Sequence, residues 1–222
     1  MLRTKSLVVG STGLIGSSII TQLLEKEESV IALVRTDEAS TNSLLDFHKV
    51  NFDDLKFPND FFSEVKDLFI CLGTTIKKAG SEDAFQKVDV TYCKEIAHEA
   101  QQGGVTNLSI VTSVGSDSNS KNFYLKSKGL IERQILDLDF ESISIYRPGL
   151  LIGPRGEFRL GEFIGQKISP FLIDPLLRGS LRKYRSINRD KLAKAMINHS
   201  GEVGVKYYYF DDFIKNLETA NN

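Results

Sequence analysis

The chain has 222 residues, of which 41% are hydrophobic and 26% charged. This globular composition excludes wholesale disorder and a long coiled coil. Its 28 Lys and Arg nearly balance 29 Asp and Glu, for a net charge of -1, so no global basic field is available to hold nucleic acid or an anionic membrane. Cys71 and Cys93 are the two cysteines, too few for a disulfide framework or a cysteine-rich zinc site. Two reduced thiols in a cytoplasmic protein are the expectation.

Ser6 to Leu24 carries no charge and follows Arg3 and Lys5, which superficially resembles a signal peptide or membrane span. Nine of those residues are aliphatic, three are Gly and seven are Ser, Thr or Gln, whereas a bilayer helix needs about 20 predominantly apolar residues. The segment reads instead as strand, glycine turn and helix. Leu7-Val8-Val9 stops at Gly10, Gly13 follows, and Ile15, Ile19, Leu23 and Leu24 recur at helical spacing.

Val30 to Val34 predicts a second strand ending at Arg35. A polar loop from Asp37 to Ser43 comes next, then a short third strand around Val50 and a fourth from Leu68 to Leu72. Phe85, Val88, Tyr92, Ile96 and Ala100 step by three or four, which predicts one helix with one apolar stripe, ended by Gly103-Gly104. Leu108 to Val111 reads as strand, Tyr124 to Leu138 as helix, and Ile143 to Tyr146 as strand, stopped by Pro148-Gly149. Gly149 to Gly179 holds nine Gly or Pro residues, so long regular elements are not expected there. Arg189 to His199 predicts a helix and Val205 to Tyr209 a final strand. This alternation argues for an α/β fold, a Rossmann-type doubly wound parallel sheet with helices on both faces. One domain is expected over residues 1–222, with 149–187 as a small region on the substrate side.

Gly10-Ser11-Thr12-Gly13-Leu14-Ile15-Gly16 lies between the first strand and first helix, where a dinucleotide-binding fold places its phosphate turn. Glycines there allow a tight turn, a close approach of backbone to pyrophosphate, and packing of helix on strand. The open N–H groups of the helix N-terminus face the anion. Arg35 stands about 20 residues on, where an acid would hold the ribose of NAD. A guanidinium there suits a 2′-phosphate instead, so NADP(H) is the expected cofactor.

Tyr124 and Lys128 stand four residues apart on one helix face. A free phenol titrates near pH ~10, and a neighbouring ammonium favours the phenolate, which suits a proton relay to a carbonyl oxygen. Ser113, at the end of the fifth strand, is placed to orient that oxygen. His48, His98 and His199 lack ligand spacing, so no metal site is expected. Asp53-Asp54 and Asp211-Asp212 read as turn or cap residues, and Cys71 as a small buried hydrophobe. Arg178, Arg182, Lys183 and Arg185 form a basic segment with no acid among them, read as a solvated loop, with an anionic substrate group or acidic partner as the sharper alternative.

Four stretches resemble the short-chain dehydrogenase/reductase superfamily, in the atypical branch that includes the HIV Tat-interacting protein. They are Gly10 to Gly16; Cys71-Leu-Gly-Thr-Thr75 with Lys78-Ala-Gly80; Tyr124-Leu-Lys-Ser-Lys128-Gly; and Tyr146-Arg-Pro-Gly-Leu-Leu151. The resemblance implies an NADPH-binding Rossmann domain with a Ser113-Tyr124-Lys128 active site. By that resemblance Ser11, Thr12, Gly13, Leu14 and Ile15 cradle the pyrophosphate, and Arg35 meets the 2′-phosphate. Leu72, Gly73 and Thr74 pass beside the ribose, and Lys128 bonds the nicotinamide ribose. Pro148, Gly149, Leu150 and Leu151 present backbone to the nicotinamide amide. Asp89 departs from the family pattern, since many members have Asn there, and the short region after Gly149 argues against a large nucleotide-sugar substrate. The implied function is an NADPH-dependent oxidoreductase acting on a small carbonyl; the alternative is a non-catalytic NADPH sensor or protein-interaction module.

Overall fold

The computed structural model describes residues 4–153 and 174–218. Seven parallel strands form one sheet in the order β3-β2-β1-β4-β5-β6-β9. In chain order they are β1 (Lys5–Val9), β2 (Val30–Val34), β3 (Leu45–Lys49), β4 (Val65–Ile70), β5 (Asn107–Val111), β6 (Ser142–Tyr146) and β9 (Gly204–Tyr208). A two-stranded parallel pair, β7 (Leu151–Ile152) with β8 (Ile187–Asn188), stands apart from it. Strands β1, β2 and β6 are buried along most of their length, as strands of a parallel sheet covered on both faces are; β2 is apolar throughout, whereas β1 and β6 carry Ser6, Ser142 and Ser144 into the interior.

The helices are α1 (Leu14–Glu25), α2 (Ile76–Ala79), α3 (Glu82–Gln86), α4 (Tyr92–Gln102), α5 (Phe123–Leu136), α6 (Arg189–Asn198) and α7 (Phe210–Glu218). Strand side chains alternate between two cores. Leu7, Val9, Leu68 and Ile70 face Cys93, Ile96 and Ala97 of α4 and Ile131 and Ile135 of α5. Val8, Ala32, Phe69 and Tyr146 face Ile15, Ile19 and Leu23 of α1, Leu192 and Met196 of α6, and Phe213 of α7. This is the doubly wound arrangement that the period-two and period-3.6 patterns dictate.

Two expected elements differ. The third strand lies at Leu45–Lys49, with Val50 just past its end. It is the half-exposed edge of the sheet, so Asp46 and His48 alternate with Leu45 and Phe47, Lys49 ends the strand, and no apolar run announces it. The expected helix from Phe85 to Ala100 is interrupted by a π-helical turn over Lys87–Thr91. The wider turn moves the buried stripe onto Asp89, Val90 and Cys93, leaving Val88 and Tyr92 only half-buried. Much of the Gly/Pro-rich stretch from Gly149 to Gly179 lies outside the described residues.

Candidate functional site

The strand order runs from β1 to one edge through β2 and β3, and to the other through β4, β5 and β6. Ligands of such sheets bind outside the carboxyl ends of the strands where that direction reverses, here between β1 and β4. The glycine turn stands at this point, and its three glycines have three different reasons to be glycine. Gly10 has φ +81°, and a Cβ on it would lie 2.6 Å from the Cys71 carbonyl carbon. A Cβ on Gly16 would lie 2.3 Å from the Gly10 carbonyl oxygen. Both positions are occupied by the chain's own backbone.

Gly13 differs: it is exposed, has φ -79°, and a Cβ there would meet one atom, the Gly10 oxygen at 3.1 Å. A side chain at Gly13 would ask the Gly10 carbonyl to give by a few tenths of an ångström, a milder demand than at Gly10 or Gly16, and the exposed surface there fits an approaching ligand. Gly13 is also the N-cap of α1, which has no side-chain cap and no acid in its first turn. The N–H groups of that turn therefore suit an anion. Within the expected cradle, Thr12 is exposed and Leu14 half-buried, while the Ile15 side chain belongs to the core. Ser11 is buried, and its hydroxyl donates to the Leu33 carbonyl at 2.9 Å, so it ties the turn to β2 and of Ser11 only the backbone is left for a phosphate.

Leu72, Gly73 and Thr74 leave β4 beside Gly10. Ser113 follows β5 in a loop whose Val114 N–H donates to the Pro148 carbonyl at 2.9 Å. The Ser113 hydroxyl makes a long 3.3 Å bond to the adjacent Val114 carbonyl. The loop packs on the first turn of α5, where the Leu125 carbonyl accepts from Asp117 N–H at 3.2 Å. Asn122 caps α5 by accepting from Leu125 N–H at 3.0 Å. Gly129 seats the helix, because a Cβ there would lie 2.2 Å from the Ser118 nitrogen.

On this helix Tyr124 is 37% exposed, and the Lys128 ammonium lies 6.0 Å from its ring centroid. The two expected partners are together. Lys128, however, does not act as a lone ammonium. It is buried, and its Nζ lies 2.8 Å from Asp89 Oδ1. Burial alone would lower the lysine pKa, but the Asp89 carboxylate and the neighbouring Tyr124 outweigh it and hold the value above the ordinary one. The carboxylate shares the field that Lys128 was expected to direct at the phenol. Asp89 also accepts from Thr74 N–H at 2.8 Å through Oδ2, so one side chain ties the segment after β4 to α5.

A second anchor went unread in the sequence. Glu132 continues the Tyr124–Lys128 face by one more turn and is buried. Its carboxylate accepts from the Thr112 hydroxyl at 2.6 Å and from Arg147 Nε at 3.0 Å, and pairs with Arg147 Nη2 as well. Arg147 in turn donates to the Tyr209 hydroxyl at 3.1 Å. Burial opposes its charge, but Glu132 raises the guanidinium pKa beyond its ordinary value. The signals were available: Glu132 at i+4 from Lys128, and a cation immediately after an apolar strand. The clamp joins α5 to the ends of β5 and β6, next to Ser113 and Pro148.

Pro148 is buried, and Gly149 packs against the Tyr184 and Arg185 backbone, where a Cβ would lie 2.6 Å from either carbonyl oxygen. Leu150 accepts from Ile187 N–H at 2.8 Å, and Leu151 pairs with Ile187. A Cβ on Gly153 would lie 2.8 Å from Leu14 Cδ1, so this segment reaches back across the crevice to the start of α1. Arg35 is exposed at the end of β2; Asp37, two residues on, pairs with Lys49 at 2.6 Å.

The remaining candidates are not drawn into the crevice. The His48 ring packs on Phe61 at 4.4 Å, His98 lies 3.6 Å from Glu99, and His199 pairs with Glu202 at 2.6 Å. Among the described residues no three metal-ligating side chains cluster. Burial pushes the Cys93 thiol up to about 12, and the Cys71 thiol upward too, which makes both poor nucleophiles at neutral pH. Asp53 accepts from Tyr92 and pairs with Lys87, and Asp212 caps Tyr209 N–H at 3.0 Å. The basic segment finds its acid elsewhere: Arg182 pairs with Asp211 at 2.7 Å.

The model of the NAD(P)H-binding family matches residues 10–144. Protein HTATIP2 of Rattus norvegicus is 35% identical over 135 residues, covering 61% of this chain and 55% of that protein. Protein FMP52, mitochondrial, of Candida albicans is 32% identical over 96% of this chain and 98% of its own length. Among solved structures, MoeE5 in complex with UDP-glucose and NAD superposes with a TM-score of 0.69 at 17% identity, covering 92% of this chain and 76% of that one. A putative NAD-dependent epimerase/dehydratase from Bacillus halodurans gives 0.66 at 20% identity, covering 91% of each. These structures share the Rossmann-type fold. The expected cytoplasmic location is overturned, since the relatives from Candida albicans, Debaryomyces hansenii and Meyerozyma guilliermondii are named as mitochondrial proteins. With its glycine turn at the switch point of the sheet and a relative aligned over nearly its whole length, the chain belongs to the NAD(P)H-binding family, as an atypical short-chain dehydrogenase/reductase-like member alongside HTATIP2 and FMP52.

Proposed function

We propose that the chain is an NADPH-dependent oxidoreductase that reduces a small carbonyl. The observation that carries the reading is the placement of Tyr124, exposed at the mouth of the crevice with the Lys128 ammonium behind its ring. When bound, the cofactor supplies the hydride, from C4 of the nicotinamide. The first turn of α1 holds the pyrophosphate through backbone N–H groups, at the opening left by Gly13. Arg35 meets the 2′-phosphate; the nearby Asp37 carboxylate is engaged by Lys49 and so opposes that phosphate less. Lys128 holds the nicotinamide ribose, and the segment from Pro148 to Leu151 lines the far side of the crevice. The Ser113 hydroxyl, weakly bonded in the protein, turns to the substrate oxygen, and the Tyr124 hydroxyl gives that oxygen its proton.

Tyr124→Phe tests this assignment. The side chain is partly exposed, so the variant folds and binds NADPH as the wild type does. Loss of a positioned general acid lowers carbonyl reduction by about 10²–10⁴-fold, followed as NADPH consumption across a carbonyl panel. Unchanged turnover in the variant removes the tyrosine from the chemistry. A wild type that binds NADPH and reduces nothing on the panel favours a cofactor sensor instead.

A further inference from the structure

Behind Tyr124 lies a carboxylate that proton transfer, as proposed above, does not use. Asp89 is 1% exposed and Lys128 6%, and they form an ion pair at 2.8 Å. Such a pair is a poor stabilising device, because desolvating two charges costs as much as their attraction returns, and apolar replacements are often as stable. Its position is more telling than its strength. The carboxylate sits on a π-helical turn, Lys87–Thr91, whose extra residue rotates Asp89 inward, and such turns recur at functional sites. The pair also lies directly beneath Gly73, at the carboxyl end of β4. A Cβ on Gly73 would lie 3.4 Å from Asp89 Oδ1 and 3.8 Å from Lys128 Nζ. Gly73 is exposed, so it is the missing side chain there that leaves the pair next to the crevice.

Two consequences follow from elementary electrostatics. A lone buried ammonium would repel a cationic ligand a few ångströms away in a medium of protein-like dielectric. The oxidised nicotinamide ring carries a positive charge and the reduced ring none, so a lone ammonium would discriminate between the two forms.

We propose that Asp89 is a positioning residue that holds Lys128 and the Thr74 backbone in place and cancels the lysine charge, so that the crevice accepts the oxidised nicotinamide as well as the reduced one. This rests on the reading above that the nicotinamide comes to lie beside Lys128. The side chain touches neither substrate nor cofactor and acts through Lys128.

The test is the ratio of dissociation constants for NADP⁺ and NADPH, measured by calorimetry on the intact chain. Asp89→Asn keeps an amide oxygen to accept from Thr74 N–H and leaves one positive charge uncompensated. The ratio of oxidised to reduced dissociation constants rises about tenfold, while NADPH affinity changes less. The double variant Asp89→Asn/Lys128→Met is neutral again, and its ratio returns to the wild-type value even though both affinities fall. Tyr124→Phe changes no charge and keeps the wild-type ratio, whatever it does to turnover, which separates this inference from the reductase reading. Equal weakening of both cofactor forms in Asp89→Asn, or a ratio still raised in the double variant, would mean that Asp89 is structural and overturn the proposal. A wild type that holds neither form removes the placement of the nicotinamide and this inference with it.

Discussion

Gly13→Val separates a glycine kept for a ligand from one kept for the fold. Gly13 has φ -79° and ψ 173°, extended backbone open to any residue, and a Cβ there meets one atom at 3.1 Å. The costs are a poorer N-cap, about 1 kcal/mol, and a small displacement of the Gly10 carbonyl. Together they come to about 1–2 kcal/mol, or a melting temperature lower by roughly 2–8 °C for a chain of this size. The same change at Gly16 puts a Cβ 2.3 Å from a backbone oxygen, and overpacking against backbone costs more, about 3 kcal/mol or above. In the wild type, NADPH at ~100 times its dissociation constant adds ~2.7 kcal/mol, a rise of roughly 5–11 °C. Thermal unfolding followed by circular dichroism, with and without NADPH, reads both effects at once. Gly13→Val keeps most of the intrinsic stability and loses the cofactor-dependent rise, whereas Gly16→Val loses intrinsic stability first. A Gly13→Val protein that still shows the full rise with NADPH would refute the backbone approach at this turn.

Arg35→Ala, at an exposed strand end, leaves the fold intact and narrows the preference for NADPH over NADH; parallel titrations with the two cofactors check it, and an unchanged preference would move 2′-phosphate recognition elsewhere. Glu132→Gln breaks a buried pair and leaves Arg147 without its carboxylate, which costs about 3 kcal/mol and roughly 6–12 °C of melting temperature. Lys49→Gln, which breaks the exposed pair with Asp37, changes stability by less than about 1 kcal/mol. Equal effects from these two substitutions would show that the clamp behind the site carries no special weight.

The elements that were legible in the sequence are those whose environment is uniform along the chain. β2 is buried on both faces and runs from Val30 to Val34 without a polar residue, β1 and β6 show themselves through Leu7-Val8-Val9 and through Ile143, Ile145 and Tyr146, and α5 shows its face through Tyr124 and Lys128 at a spacing of four. The glycine turn was legible too, because Gly10 and Gly16 answer steric demands that no other residue satisfies. Periodicity, however, reports which way a side chain faces and not what it meets. That Lys128 meets Asp89, and that Glu132 meets Arg147 and Thr112, depends on the π-helical turn and on the order in which β4, β5 and β6 lie side by side. A buried charge in a sequence states a need for a partner of opposite sign. Tertiary packing alone chose that partner, from residues far along the chain, and with it the balance of charge behind Tyr124.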